Sequence, residues 1–351
     1  RRGARRRRPP HALGPRAGEG ESRRSHRRGW PRRGSKSRGF RYFDASGRVI
    51  TDDAILERID QLRIPPAWRD VWISPRPTAK LQATGHDKAG RKQYLYNAEY
   101  RAQQEQAKFD SLVRFGERLP DIRAAMSAHM DREALDRDRV AAVALRLINL
   151  GWFRPGSERY AKESRTFGIT TLRKGHVDVR GHRVRLDFRA KHKVRVRSVL
   201  VDAELAESIR ELKSLRGGAR LFRFRNGDDE LVNLTERHLN DYVQQHMGEE
   251  FSVKDFRTWG GTLLAAIGLA EHGTAESENG AKKAVVAVCR SVAEKLGNTP
   301  AVCRASYISP PVIDQYLDGR TLDDFRPRHL RVVSARDSGL DREELALLSL
   351  L

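Results

Sequence analysis

"TTLRKGHVDVRGHRVRLDFRAKHKVRVRSVLV", residues 170–201, decides the fold class. Val177/Val179, Val184/Leu186/Phe188 and Val194/Val196 alternate with charged residues, the period of strands that bury one face. The alternation breaks at Arg180-Gly181-His182 and across Arg189-Ala190-Lys191-His192, which predicts a small antiparallel sheet with tight turns. Upstream, Val140, Val143, Ala144, Leu147 and Ile148 recur at helical spacing and form one buried face, delivering the chain to "GWFRPGSERY" (151–160). Downstream, "EFSVKDFRTWGGTLLAAIGL" (250–269) and "AKKAVVAVCRSVAEKLG" (281–297) read as helices, with Gly297 as a stop. Thr299-Pro300 and Ser309-Pro310 each read as a cap followed by Pro at the first helical position, so Tyr307 ends one short helix just before the next. "LDREELALLSLL" (340–351) predicts a terminal amphipathic helix.

Further upstream, "EYRAQQEQAKFDSLVRFGERL" (99–119) is helical in spacing, and Pro120 behind it reads as a boundary between lobes. "KLQATG" (80–85) and "KQYLY" (92–96) read as strands joined by a polar, glycine-containing connection. The expected organisation is α+β: a basic tail over 1–38 that should be disordered, a β-rich lobe over 39–118, a larger, mostly helical lobe with one small sheet over 119–325, and a helical extension over 326–351.

Lys and Arg number 68 against 46 Asp and Glu, a net charge of +22, and residues 1–38 hold 15 of the cations against 2 acids. A balance this basic favours a polyanionic partner. No stretch approaches the roughly 18 consecutive apolar residues of a membrane span, so no membrane partner is expected and the expectation is a soluble, cytoplasmic protein. Cys289 and Cys303 are the only cysteines; without a CxxC they indicate neither a disulfide framework nor a zinc site, and they fit a reducing compartment. "GWPRRGSKS" (29–37) falls short of a phosphate-binding loop, because Ser35 separates Gly34 from Lys36 and no apolar strand precedes it.

HExxH, GxSxG and acidic clusters with magnesium-ligand spacing are all missing, which argues against metal or serine-triad chemistry. Cations stand instead where the apolar pattern is interrupted: Arg154 after a buried helix, Lys191 in a hairpin turn, Arg257 beside Asp255 at the opening of a helix. A phosphodiester undergoing displacement concentrates charge on its nonbridging oxygens, which arginine forks bind without being deprotonated. A lysine among other cations can donate a proton to a leaving alkoxide. A tyrosine phenol is a suitable nucleophile, since its phosphodiester conserves the energy of the broken linkage.

The stretches "RIPPAWRDVWISP", "LQATGHDKAGRKQYLY", "RPGSERYAKESRTFGITTLRKGHV", "VKDFRTWGGT" and "LGNTPAVCRASYI" occur in this order from about Gly39 onward. In these motifs the chain resembles the type IB DNA topoisomerases of the poxvirus-like and bacterial group. The resemblance implies two lobes forming a clamp on duplex DNA, a monomer associated with the nucleoid, and relaxation of supercoils by transesterification. It needs no ATP, and a divalent metal would at most stimulate it. By the match, Tyr307 would attack the phosphorus to leave a 3′-phosphotyrosyl bond, Arg154 and Arg257 would hold the nonbridging oxygens, and Lys191 would protonate the 5′-oxygen, with Lys193 as its alternative. Asn298 stands where several relatives have histidine, and its amide can donate to a phosphate oxygen but cannot titrate near neutrality. Gln93, Tyr94 and Tyr96, with Arg91 and Lys92 before them, match a stretch that contacts DNA in the major groove; alternating strand residues packed on a core are the other reading.

A tyrosine recombinase or integrase would share the catalytic chemistry but typically carries HxxR where this chain has "KDFR". A non-catalytic DNA-binding protein would explain the charge and leave the ordered motifs unexplained. A metal-dependent nuclease lacks its carboxylate cluster.

Overall fold

A computed structural model of the chain describes residues 29–326 and 339–351. The chain forms two compact units, divided between Gln106 and Ala107.

The first unit is built on a five-stranded antiparallel sheet with strand order β2-β1-β3-β4-β5, formed by β1 (Trp30–Ser35), β2 (Gly39–Tyr42), β3 (Arg69–Ile73), β4 (Leu81–His86) and β5 (Lys92–Tyr96). Helix α1 (Asp53–Gln61) starts at an Asp52 side chain that accepts from the Ile55 amide. It contributes Ile59 to a small core with Ile64, Val71, Ile73 and Ala83. Strand β1 corrects the expectation of disorder through residue 38; residues 1–28 lie outside the described residues. Composition misled because the arginines here have structural partners. Arg32 donates to the carbonyls of Ile64 (3.4 Å), Pro65 (3.1 Å) and Trp68 (2.8 Å) and lies over the Phe40 ring at 4.1 Å. Trp30 packs against the core. Guanidinium stems and faces can cover apolar surface, so a basic segment is not thereby an unfolded one.

Helix α2 (Ala98–Met130) carries the chain across the division without a break, with Pro120 inside it. Pro120 is therefore not a boundary, and the helix continues past the expected lobe limit at 118. Leu112, Phe115, Leu119, Ile122, Met126 and Met130 are all buried at helical spacing on both sides of the proline. Burial of that continuous face outweighs the missing hydrogen bond.

The second unit is mostly helical. Helix α3 (Arg137–Gly151) is its hub, with eight buried residues from Val140 to Ile148. Helix α4 (Glu158–Glu163) follows, and then the expected three-stranded sheet of β6 (Val177–Arg180), β7 (Arg183–Arg189) and β8 (Arg195–Val201). The β7–β8 register runs from Arg183↔Val201 to Arg189↔Arg195, which places residues 190–194 in the turn. Helix α5 (Ala203–Ser214), a two-stranded ribbon of β9 (Arg223–Arg225) and β10 (Leu231–Asn233), and α6 (Glu236–Met247) lead to α7 (Val253–His272) and α8 (Glu278–Leu296). The short helices α9 (Pro300–Ser306) and α10 (Pro310–Leu317) flank Tyr307, and α11 (Arg342–Leu350) closes the chain. Two of the expected caps are present: Gly297 ends α8 in the left-handed region at φ 61°, and Thr299 accepts from the Val302 amide ahead of Pro300; Ser309 stands at the start of α10 ahead of Pro310, but its side chain makes no capping hydrogen bond.

Candidate active site

The C-terminal end of α8 organises the site. Past Leu296 the chain turns at Gly297, and the Asn298 amide reaches back to the Ala293 carbonyl at 2.9 Å. A helix end leaves carbonyls without intrahelical donors and carries partial negative charge, so it attracts cations. Both predicted arginines bind there. Arg257 donates to the Leu296 carbonyl at 2.8 Å and to the Trp152 carbonyl. Arg154 donates to the Gly297 carbonyl at 2.9 Å and to Asn298 Oδ1.

The local backbone explains why these side chains converge. Trp152 caps α3 with φ 52°, a left-handed conformation that a tryptophan seldom adopts, and this turns Arg154 out of the helix axis. The loop after it is tied down by Ile169 N to Arg154 O (3.0 Å) and Thr170 N to Pro155 O (2.7 Å). Gly168 makes this possible, because a Cβ on it would lie 2.5 Å from the Gly156 Cα. Arg257 sits one turn into α7, whose start is fixed by Asp255 accepting from the Ser252 amide at 2.8 Å.

Tyr307 is the C-cap of α9, half-buried, with its amide on the Cys303 carbonyl at 2.9 Å. The Arg257 guanidinium carbon lies 5.2 Å from its ring centre. Thr262 of α7 donates to the Tyr307 carbonyl at 3.2 Å and accepts from the Ser309 amide at 3.1 Å, so one hydroxyl fixes both sides of the tyrosine. Gly261 permits that approach: a Cβ there would sit 2.6 Å from the Tyr307 carbonyl oxygen.

Burial pushes the Arg154 pKa down to about 10, helped by the like charge of Arg257 and opposed by Tyr307 and Cys303. Arg257 is 3% exposed, and burial lowers its pKa too, against the Tyr307 side chain within hydrogen-bond reach. Neither arginine has a carboxylate partner among the described residues. Asn298 spends Oδ1 on Arg154, which leaves Nδ2 buried beside the weakly accepting Cys303 thiol and without a stronger acceptor. The Nε of Arg257 is likewise buried and unpartnered. A buried and a half-buried guanidinium, with a buried Nε and an amide left over, make a donor set suited to a tetrahedral oxyanion.

The structure brings Arg154, Arg257, Asn298 and Tyr307 together. It does not bring Lys191 to them: Lys191 and Lys193 are both exposed in the β7–β8 turn, with no hydrogen bond or ion pair among the described residues. The turn is closed by Ala190 N on Val194 O at 2.7 Å, with His192 and Lys193 at φ 63° and 62°. Its roots, Ala190 and Val194, line the same cavity of about 550 Å³ as Arg154 and Arg257.

In the first unit, Lys92, Tyr94 and Tyr96 share the open face of β5. Tyr94 and Tyr96 are 48% and 45% exposed, which rules out the core-packing reading for them. Their rings stack at 6.3 Å, Tyr96 meets Tyr100 at 5.8 Å, and Lys92 lies 5.7 Å from the Tyr94 ring. Gln93 and Arg91 both bind Asp87, at 3.0 and 2.6 Å, and the Arg91 guanidinium, with the Arg91 and Ala89 amides, holds the Asp87 carboxyl at about 2.

Sequence reading did not single out Thr262, although it belongs to the quoted "WGGT". It also missed Lys108 of α2, whose ammonium donates to the Ser306 carbonyl across 198 residues of sequence; no local signal marks such a contact. Among the described residues no cluster of three or more His, Cys, Asp or Glu could hold a metal, and no helix is long and apolar enough to cross a membrane.

Residues 97–316 match the family described as eukaryotic DNA topoisomerase I, catalytic core, and residues 39–87 match the bacterial DNA topoisomerase IB, N-terminal domain. The DNA topoisomerase 1B of Acanthamoeba polyphaga mimivirus is 33% identical over 284 residues, covering 79% of this chain and 84% of that protein. The DNA topoisomerase 1B of vaccinia virus (strain Copenhagen) is 24% identical over 298 residues, covering 80% and 91%. The DNA topoisomerase 1 of Candidozyma auris is 29% identical over 154 residues, 43% of this chain and 19% of that one.

Proposed function

Because the chain belongs to the type IB DNA topoisomerases, which relax supercoiled duplex DNA by transient cleavage of one strand, strand rotation and religation, we propose that Tyr307 is its nucleophile and that Arg154, Arg257 and Asn298 hold the phosphate it attacks. One observation carries this assignment: the three side chains meet at the end of α8, with the Arg257 guanidinium carbon 5.2 Å from the Tyr307 ring centre and guanidinium and amide donors left over.

In cleavage the phenolic oxygen forms a bond to phosphorus and loses its proton, the bond from phosphorus to the 5′-oxygen breaks, and that oxygen takes up a proton. Religation reverses each step. The number of phosphodiester bonds is conserved, so no ATP is required, and a metal is dispensable where Arg154 and Arg257 stabilise the equatorial charge. Lys191 supplies the proton to the 5′-oxygen, with Lys193 as the alternative, once bound DNA draws the turn over the cavity at its root. Lys92, Tyr94 and Tyr96 contact the duplex from the open face of β5, cation and ring edge being suited to backbone and base contacts. The protein acts as a monomer on double-stranded DNA.

The test is plasmid relaxation in EDTA without ATP, wild type beside Tyr307→Phe, with a denaturing gel for protein attached to DNA. Relaxation and adduct in the wild type alone are expected; an adduct formed by Tyr307→Phe would remove the assignment. Lys191 and Lys193 are separated by a substrate whose bridging 5′-oxygen is replaced by sulfur. A thiolate leaves without a proton, so loss of the general acid is rescued and loss of any other lysine is not.

A further inference from the structure

Among the described residues, the Tyr307 ring has two cations within about 5.5 Å of its centre. One is Arg257, which belongs to the phosphate site. The other is Lys108, whose Nζ lies 5.5 Å from the ring centre and donates to the carbonyl of Ser306. Ser306 is the last residue of α9. Its carbonyl is one that a helix leaves without an internal donor, at the end where positive charge is favoured. Lys108 therefore pins the residue immediately before the tyrosine, while its own stem rests near Phe109, 4.7 Å from the ammonium to that ring.

We propose that Lys108 is a positioning residue for the nucleophile: it fixes the end of α9 through Ser306 and keeps a positive charge beside the phenol ring in both directions of the reaction. In cleavage the Tyr307 oxygen gives up its proton as it bonds to phosphorus, and in religation the same oxygen leaves phosphorus carrying negative charge. A cation beside the ring favours that oxygen's anionic form in each case, so its loss slows both steps together. This separates Lys108 from the lysine that protonates the 5′-oxygen at the opposite end of the scissile bond. The inference rests on Tyr307 being the nucleophile.

The experiment uses the full chain with Lys108→Met, which keeps an apolar stem without charge, and Lys108→Arg, which keeps the charge. Single-turnover cleavage and religation are measured at saturating protein on a duplex carrying a mapped cleavage site, with DNA affinity and the thermal transition alongside. Lys108→Met should bind DNA within about twofold of wild type and cleave and religate about ten- to a hundredfold more slowly, as for loss of a charged hydrogen bond. Lys108→Arg should recover most of the rate, and sulfur at the bridging 5′ position should not rescue Lys108→Met. Wild-type rates in Lys108→Met, equal defects in the Met and Arg variants, or rescue by the sulfur substrate would each overturn the proposal. If Lys108→Met does not fold cooperatively, Lys108→Gln is read by the same outcomes. Tyr307→Phe run in parallel keeps the two readings apart: an adduct from that variant defeats the nucleophile assignment, whereas a failure confined to Lys108 leaves it standing.

Discussion

Gly261 shows how much of the chemistry is held by residues that do none of it. Its missing Cβ lets the Tyr307 carbonyl come within reach of Thr262, and the atom that an alanine would add meets backbone rather than a yielding side chain. Gly261→Ala should cost about 1–3 kcal/mol of stability, the usual range for overpacking. Because the displaced atoms are those of the proposed nucleophile, cleavage should fall while DNA affinity holds; denaturant titration and single-turnover cleavage read the two effects. Arg257→Lys is a second case. A lysine keeps the charge but cannot span the Trp152 and Leu296 carbonyls and still present a fork to phosphate. A fall in cleavage of at least about a hundredfold is expected, on the scale of losing a preorganised transition-state donor, with little change in duplex affinity. At this scale the convergence of Arg154, Arg257, Asn298 and Tyr307 was legible, because each stands in a motif. It was silent on Lys108 and on the Trp152 carbonyl, whose roles come from contacts between distant segments.

At the scale of elements, α11 docks through a buried carboxylate. Glu344 is 3% exposed and takes a two-pronged ion pair from Arg123 at 2.7 Å on each oxygen, with the Trp259 indole donating at 3.2 Å. Trp259 lies two residues past Arg257 on α7, so the terminal helix braces the helix that bears the proposed phosphate site. Glu344→Ala would leave Arg123 without its partner and should cost about 3–5 kcal/mol, read by chemical denaturation. Burial alone would raise the Glu344 pKa, but Arg123 and the other donors outweigh it and the net shift is downward. A depressed folded-state pKa means stability that is present above the ordinary glutamate range and lost as pH falls through the folded value, so the wild type should lose stability below about pH 4, and Glu344→Gln should lose less over that interval. The helix itself was legible from "LDREELALLSLL", whereas the partner of its glutamate was not. Strand β1 was misread for a physical reason already visible in Arg32: composition counts charges and cannot see three carbonyls waiting for a guanidinium. Truncation at residue 38 should therefore lower the melting temperature of the first unit relative to truncation at residue 28, as followed by circular dichroism.

For the whole molecule, the α+β division, the three-stranded sheet and the helix caps around Tyr307 were legible, since periodicity and capping are local properties. The division at 106/107 was not, because it falls inside one continuous helix, among exposed, mostly polar residues where no turn or breaker marks it. A net charge of +22 on a protein whose partner is DNA implies affinity that drops steeply with salt. The logarithm of the binding constant should fall linearly with the logarithm of salt concentration, with a slope of several units, and replacing Lys92 should reduce that slope by about one. The arginine pair has a further consequence for the resting protein. Two like charges, one buried and one half-buried, lie against carbonyl dipoles with no carboxylate between them among the described residues, so an oxyanion bound there would relieve their mutual repulsion as well as occupy a site. By linkage, sulfate or inorganic phosphate should raise the melting temperature, by the equivalent of about 2.7 kcal/mol at a hundredfold excess over Kd, and Arg257→Met should abolish the rise. On the proposed mechanism, the covalent intermediate, with its phosphate between the two guanidinium groups, is then the most unfolding-resistant form of the protein, so the bond that retains the cut strand also stiffens the fold around it.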